Sequence, residues 1–166
     1  MYYDKISEGY DELHGSEQLN KIKLIKSLID KKQYLSPFRS PKMLLDLGCG
    51  TGITSLIVVP SCFYVGLDPS IKLLRKFTLP RVMGVAESLP FKIHSFDLVI
   101  SLTAIHHFKE TRKVLQQISL LSSYHILSVL KKASQYVHIC ADIRELFKVI
   151  IEQDEEKDTI FFLKNK

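Results

Sequence analysis

The segment Met43-Leu-Leu-Asp-Leu-Gly-Cys-Gly-Thr-Gly52 constrains this chain more than any other. A short apolar run that stops at alternating glycines reads as a buried strand feeding a tight turn. Glycines in such a turn permit positive φ angles, and they let a ligand touch the backbone because no Cβ intervenes. The place itself, the carboxyl end of a strand, is where open α/β sheets bind ligands. Spacing alone leaves the ligand open. A dinucleotide-binding turn, G-x-G-x-x-G, would carry its third glycine at position 53, where Ile53 stands. A P-loop would need Gly-Lys-Ser/Thr, which is absent. A turn made only for packing fits as well.

The rest of the chain alternates in the same way. From Ser16 to about Leu35 the residues Leu19, Ile22, Ile25, Leu28 and Ile29 recur at three or four, which predicts an amphipathic helix with Ser16 as N-cap. Ser36-Pro-Phe-Arg-Ser-Pro41 ends it. Buried strands are predicted at 43–47, 62–67, 81–85, 96–101 and 124–130, with helices over 51–59, 69–77, 110–121 and 133–146 between them. Strands that are apolar throughout and alternate with helices indicate a parallel sheet covered on both faces. The final strands, 147–151 and 159–163, are separated by too few residues for a crossover helix, so they form an antiparallel hairpin. The expected fold class is α/β: a Rossmann-like three-layer sandwich, mostly parallel, with an antiparallel C-terminal hairpin strand. At 166 residues a single domain spanning 1–166 is expected, with 1–40 as an N-terminal helix and lid segment within it.

Charge and cysteine content narrow the function classes. No apolar run approaches the ~18 residues of a membrane span, and the N-terminus lacks a signal-peptide core, so a cytoplasmic protein without membrane association is expected. Cys49, Cys62 and Cys140 lack Cys-x-x-Cys spacing, which leaves no metal or redox motif and predicts reduced thiols. The net charge of +5 is uneven. Seven basic residues against Asp30 lie between Lys21 and Lys42, whereas 152–158 holds five acids and Lys157. A basic stretch of this kind suits a phosphate-bearing partner such as RNA, or simply a solvated helix face.

Four segments together resemble a known family. Leu44-Leu-Asp-Leu-Gly-Cys-Gly-Thr-Gly52 is similar to the first motif of class I S-adenosylmethionine-dependent methyltransferases. Val65-Gly-Leu-Asp-Pro-Ser70 resembles the second. Gly84-Val-Ala-Glu-Ser-Leu-Pro-Phe91 and Ser95-Phe-Asp-Leu-Val-Ile-Ser101 resemble the third and fourth. With Ile105-His-His107, the set is similar to the broad subgroup that includes ubiquinone-biosynthesis and wobble-uridine tRNA methyltransferases. The resemblance implies S-adenosylmethionine as cofactor. It places Asp46, Gly48, Cys49 and Gly50 at the methionine end, Asp68 on the ribose and Pro69 beside the adenine. It puts the Ala86 amide on the adenine ring with Glu87 nearby, and Ser101 and Leu102 along the methionine part. Tyr10 becomes a candidate lid residue. Many relatives carry an aspartate where this chain has Val85, so the adenine amino group needs another partner, with Glu87 the candidate. The usual Pro-Gly-Gly before the fifth strand is replaced by Ser122-Ser-Tyr124.

The chemistry asks little of the protein, because a sulfonium methyl is already electrophilic and the main task is alignment. Ser101-Leu-Thr-Ala104 replaces the Asn/Asp-Pro-Pro-Tyr of many amino-group methyltransferases, which argues against that chemistry. His106 and His107 are candidate general bases; both also suit a packing role at the cleft rim. The near absence of insertions predicts an open cleft, suited to an RNA or protein acceptor or to a partner subunit that completes the pocket. A small-molecule acceptor under the N-terminal segment is the rival expectation. Two other readings remain at this point: a cofactor-binding but non-catalytic partner subunit, and a nicotinamide dehydrogenase.

Overall fold

In the computed structural model the described residues are 10–57, 61–76 and 78–166, with side chains described from 15 onward. The chain enters through helix α1 (Tyr10–Lys31), a 3-10 turn at Gln33–Leu35 and the one-turn α2 (Ser36–Arg39). Strand β1 (Met43–Leu47) follows, then a 3-10 turn at Ile53–Ile57 and β2 (Phe63–Asp68). Next come α3 (Ile71–Leu74), β3 (Arg81–Met83) and β4 (Leu98–Ser101). A 3-10 turn at Ile105–His107 leads to α4 (Thr111–Leu121) and β5 (Tyr124–Leu130). The chain closes with α5 (Tyr136–Leu146), β6 (Phe147–Asp154) and β7 (Asp158–Asn165).

These strands form one sheet in the order β3-β2-β1-β4-β5-β7-β6. The first five pair in parallel, β7 runs antiparallel beside β5, and β6 pairs antiparallel with β7. The Rossmann-like architecture with an antiparallel hairpin strand is therefore present. Period-two alternation sends successive residues of each strand to opposite faces. Leu44, Leu98, Ile100, Ile126 and Phe162 pack under α1 with Ile22, Ile25 and Ile29. Leu45, Val99, Leu127, Val129 and Phe161 pack under α4 and α5 with Val114, Ile118 and Ile143. Both faces being covered explains why β1, β4 and β5 are mostly apolar rather than alternating with polar residues.

Several element bounds differ from expectation. Among the described residues helix α1 covers Tyr10–Lys31, so Ser16 lies inside it rather than capping it. Where a 51–59 helix is expected, Ile53–Ile57 form a 3-10 turn, and residues 58–60 lie outside the description. The expected 69–77 helix shrinks to one turn, with Ser70 as its N-cap accepting from the Leu73 amide. Both hairpin strands are longer than the sequence suggests, because pairing with β7 extends β6 into the acidic segment as far as Asp154. No helix is long and apolar enough to cross a membrane among the described residues.

Candidate active site

The glycine turn leaves β1 at the centre of the sheet's carboxyl edge. Gly48, Gly50 and Gly52 all take positive φ, at 79°, 55° and 86°. The Gly48 and Cys49 amides donate to the Leu67 carbonyl at 2.8 and 3.1 Å, which ties the turn to the end of β2. A Cβ on Gly48 would sit under 3.0 Å from the Cβ of Ala104, closer than real Cβ atoms approach. Glycine is therefore required there twice, by φ and by the approach of the loop that follows β4.

Asp68 ends β2 and is buried. Its Oδ2 accepts the Gly50 amide at 2.9 Å and its Oδ1 the Ser70 amide at 2.7 Å. The carboxylate thus braces the glycine turn. A carboxylate has about four lone-pair sites, more than these two amides use.

In front of this brace lies a cavity of about 350 Å³. Of the residues singled out in the sequence, Gly48, Gly50, Asp68, Pro69, Ala86, Glu87 and Leu102 line it. Asp46, Cys49 and Ser101 do not. Cys49 is buried in the apolar cluster on the α1 side. Ser101 is buried and donates to the Leu47 carbonyl at 2.8 Å, so it locks β4 to β1. Asp46 lies beneath the turn with the Tyr64 hydroxyl donating to its Oδ2, while its Oδ1 has no hydrogen-bond partner. Burial pushes the Asp46 carboxyl up to about 7, against the Tyr64 and Thr54 hydroxyls and helped by Asp68. Tyr10 opens α1, and its side chain lies outside the described residues. The Glu87 carboxylate accepts the Lys109 amide at 2.7 Å, which turns it toward the loop after β4.

The N- and C-terminal segments build a part of the site that sequence reading misses. Thr103 lines the cavity with φ of 55°, in the left-handed region where a β-branched residue is strained. Four groups hold it there. Its amide donates to Ser128 Oγ at 2.8 Å and its hydroxyl donates to Asp158 Oδ2 at 2.9 Å. Lys21 Nζ and Gln18 Nε2 donate to that same hydroxyl. Lys21 and Asp158, both 0% exposed, pair at 2.5 Å. One signal is readable. Lys21 lies beside Ile22, Ile25 and Ile29 on the inward stripe of α1, and a lysine in an apolar stripe needs a buried partner. Thr103 carries no such signal.

His107 lines the cavity, and His106 stacks on it with ring centroids 4.0 Å apart. Burial, then His107, lowers the His106 imidazole to about 4, and its Nδ1 is buried without a partner. Burial also lowers His107. Both rings are therefore neutral near pH 7 and able to accept a proton. No cluster of three or more metal-ligating side chains occurs among the described residues. A second hollow of about 410 Å³, lined by Arg112, Gln116 and Asp142 between α4 and α5, lies away from the glycine turn.

Comparison with known proteins agrees with this geometry. Residues 45–121 match the model of a family described as "Methyltransferase domain". An uncharacterized protein of Methanocaldococcus jannaschii is 28% identical over 160 residues, covering 94% of this chain and 58% of that protein. The chain thus spans little more than half of that relative's length. A protein of Pyrococcus horikoshii OT3 superposes with a TM-score of 0.78 at 17% identity, covering 100% of this chain and 99% of that one. Magnesium protoporphyrin IX methyltransferase from Synechocystis PCC 6803, solved with bound SAM, superposes with a TM-score of 0.68 at 19% identity, covering 89% of this chain and 79% of that one. The bound SAM is that protein's ligand, and the cavity of the present chain is lined by residues of a kind that could hold such a group. Gly48 and Gly50 present backbone to the cavity, and Asp68 presents a buried carboxylate to it.

Proposed function

We propose that this chain, whose residues 45–121 match a family described as "Methyltransferase domain", is a class I S-adenosylmethionine-dependent methyltransferase that moves a methyl group from that cofactor to a nucleophile presented at the Thr103–His107 lip of its cavity. The observation that carries the reading is the Asp68 brace. One buried carboxylate holds the glycine turn by the Gly50 amide and faces the cavity beside Pro69. A carboxylate so placed accepts both ribose hydroxyls without moving. Gly48 and Gly50 offer backbone to the methionine end, and Ala86, Val85 and Leu102 supply an apolar slot for the adenine ring. Glu87 lines the same slot in the absence of an aspartate at position 85.

The bound cofactor supplies an electrophilic methyl on a sulfonium centre. The protein's share is then alignment and dehydration. Thr103, fixed by Lys21, Asp158 and Ser128, sets the position of the loop against which the acceptor rests. His107, neutral and on the wall, can accept a proton from an acceptor hydroxyl or amine as it is methylated. The test is transfer of tritium from methyl-labelled S-adenosylmethionine into fractions of cell extract, with ribonuclease and protease treatments to identify the acceptor. Incorporation that Gly48→Ala abolishes supports the reading. A protein that binds the cofactor yet labels no fraction refutes transfer.

A further inference from the structure

The exposed charge of this protein is partitioned. Between residues 16 and 83 the exposed charged side chains are nine lysines and arginines and one acid, Asp30. Lys23, Lys26 and Lys31 stand on the outward side of α1, and Arg75 follows α3, whose Leu73 lines the site cavity. Lys26 Nζ reaches the Leu56 carbonyl at 3.2 Å, so α1 abuts the 3-10 turn that continues the glycine turn. Leu74 of α3 shares the apolar cluster of α1, which places these elements on one face of the sheet. None of Lys23, Lys26, Lys31 or Arg75 has a carboxylate partner among the described residues. Beyond residue 83 cations and carboxylates are interspersed, and Arg112, Lys113, Arg144 and Lys157 are in ion pairs.

We propose that these cations dock the phosphate backbone of a single-stranded nucleic acid, one base of which enters the site cavity as methyl acceptor. The proposal rests on the methyltransferase reading and names its acceptor class. Exposed cations without carboxylate partners release counterions on meeting a polyphosphate, which is the main source of such affinity. At the cavity end the lip offers His107 and Phe108, ring faces on which a base can stack. A base must leave any duplex to reach a cavity, so a single strand is the form that fits. A bilayer fits worse. It needs an apolar face beneath the cations, whereas Ile22, Ile25 and Ile29 of α1 are buried against the sheet.

Fluorescence anisotropy of the full chain tests this, with a labelled mixed-sequence RNA of about 20 nucleotides, the same sequence as DNA, a polyglutamate and vesicles containing phosphatidylserine. The expected result is binding of the oligonucleotides that weakens steeply with salt, with a logarithmic slope of about −0.7 for each phosphate neutralised. The triple variant Lys23→Glu, Lys26→Glu, Arg75→Glu is expected to bind at least ~10-fold more weakly, with unchanged S-adenosylhomocysteine affinity and melting temperature. Equal binding of RNA and DNA supports backbone docking, and a preference for either identifies the source. Oligonucleotide binding that is absent at low salt, unaffected by the triple variant, or no tighter than binding to polyglutamate or vesicles overturns the proposal. The cofactor titration is read separately: its failure removes the methyltransferase reading, whereas failure of the anisotropy assay alone removes only the docking.

Discussion

Replacing Gly48 by alanine tests the close approach on which the cavity depends. Two costs follow from the structure. The residue sits at φ of 79°, where a Cβ costs about 1–2 kcal/mol. The new Cβ also falls under 3.0 Å from the Ala104 Cβ, and overpacking of this kind costs about 1–3 kcal/mol. The sum is about 2–5 kcal/mol, and its lower end alone corresponds to about 30-fold weaker binding if it is expressed at the cofactor site. The second cost has a specific remedy. Ala104→Gly removes the opposing Cβ, so the double variant recovers the overpacking share and keeps the φ share. Calorimetric titration with S-adenosylhomocysteine, paired with thermal melts, gives the four corners of the cycle. A coupling of about 1–3 kcal/mol is expected. A Gly48→Ala protein that binds within about threefold of the parent, or a double variant no better than the single, refutes the reasoning.

Three further outcomes follow. Asp68→Asn places an amide NH₂ toward the Gly50 or Ser70 amide and removes the charged acceptor, so titration should show at least ~1.5 kcal/mol weaker S-adenosylhomocysteine binding; an unchanged affinity would exclude the ribose role. The Asp46 carboxyl ionises at about 7 in the folded chain against 3.8 ordinarily, so its contribution to stability is full below pH 4 and is lost as pH rises through 7. Urea unfolding should therefore show Asp46→Asn gaining on the parent protein between about pH 4 and 7 and holding a constant difference above; a difference flat across that window contradicts the burial argument. Lys21→Met strands the buried Asp158 carboxylate and should cost about 3–5 kcal/mol in the same unfolding assay, with Asp158→Leu added to it restoring most of the loss; a loss below about 1 kcal/mol would show that the pair is solvated.

The legible parts of the fold are those fixed by one-dimensional pattern. β1, β4 and β5 are buried on both faces, and each stands in the sequence as a mostly apolar run, interrupted at Asp46, Ser101, His125 and Ser128. The hairpin follows from a connection too short to cross over. The helices after β1 and β2 are shorter than their residue count suggests, because the chain also needs a path back to the next strand. Ser70 caps a single turn, and the chain must return through Thr78 and Pro80 to enter β3 at Arg81. At the site, the glycine turn, Asp68 and the Ala86–Glu87 pair are readable because each is local to one strand end. The Thr103 clamp is not. Its members come from residues 18, 21, 103, 128 and 158, which only the tertiary fold brings together. Asp46, Cys49 and Ser101 read as cavity residues because they neighbour the glycines and β4, yet Asp46 and Ser101 are buried within their strands and Cys49 is buried in the apolar cluster on the α1 side.

The central claim is that Gly48, Gly50 and Asp68 form the seat of S-adenosylmethionine. Calorimetric titration of the full chain with S-adenosylhomocysteine, with NAD as the comparison ligand, tests it most directly. The account predicts saturable binding of one S-adenosylhomocysteine per chain and none of NAD. Absence of S-adenosylhomocysteine binding by a folded protein, or binding of NAD in its place, would contradict it.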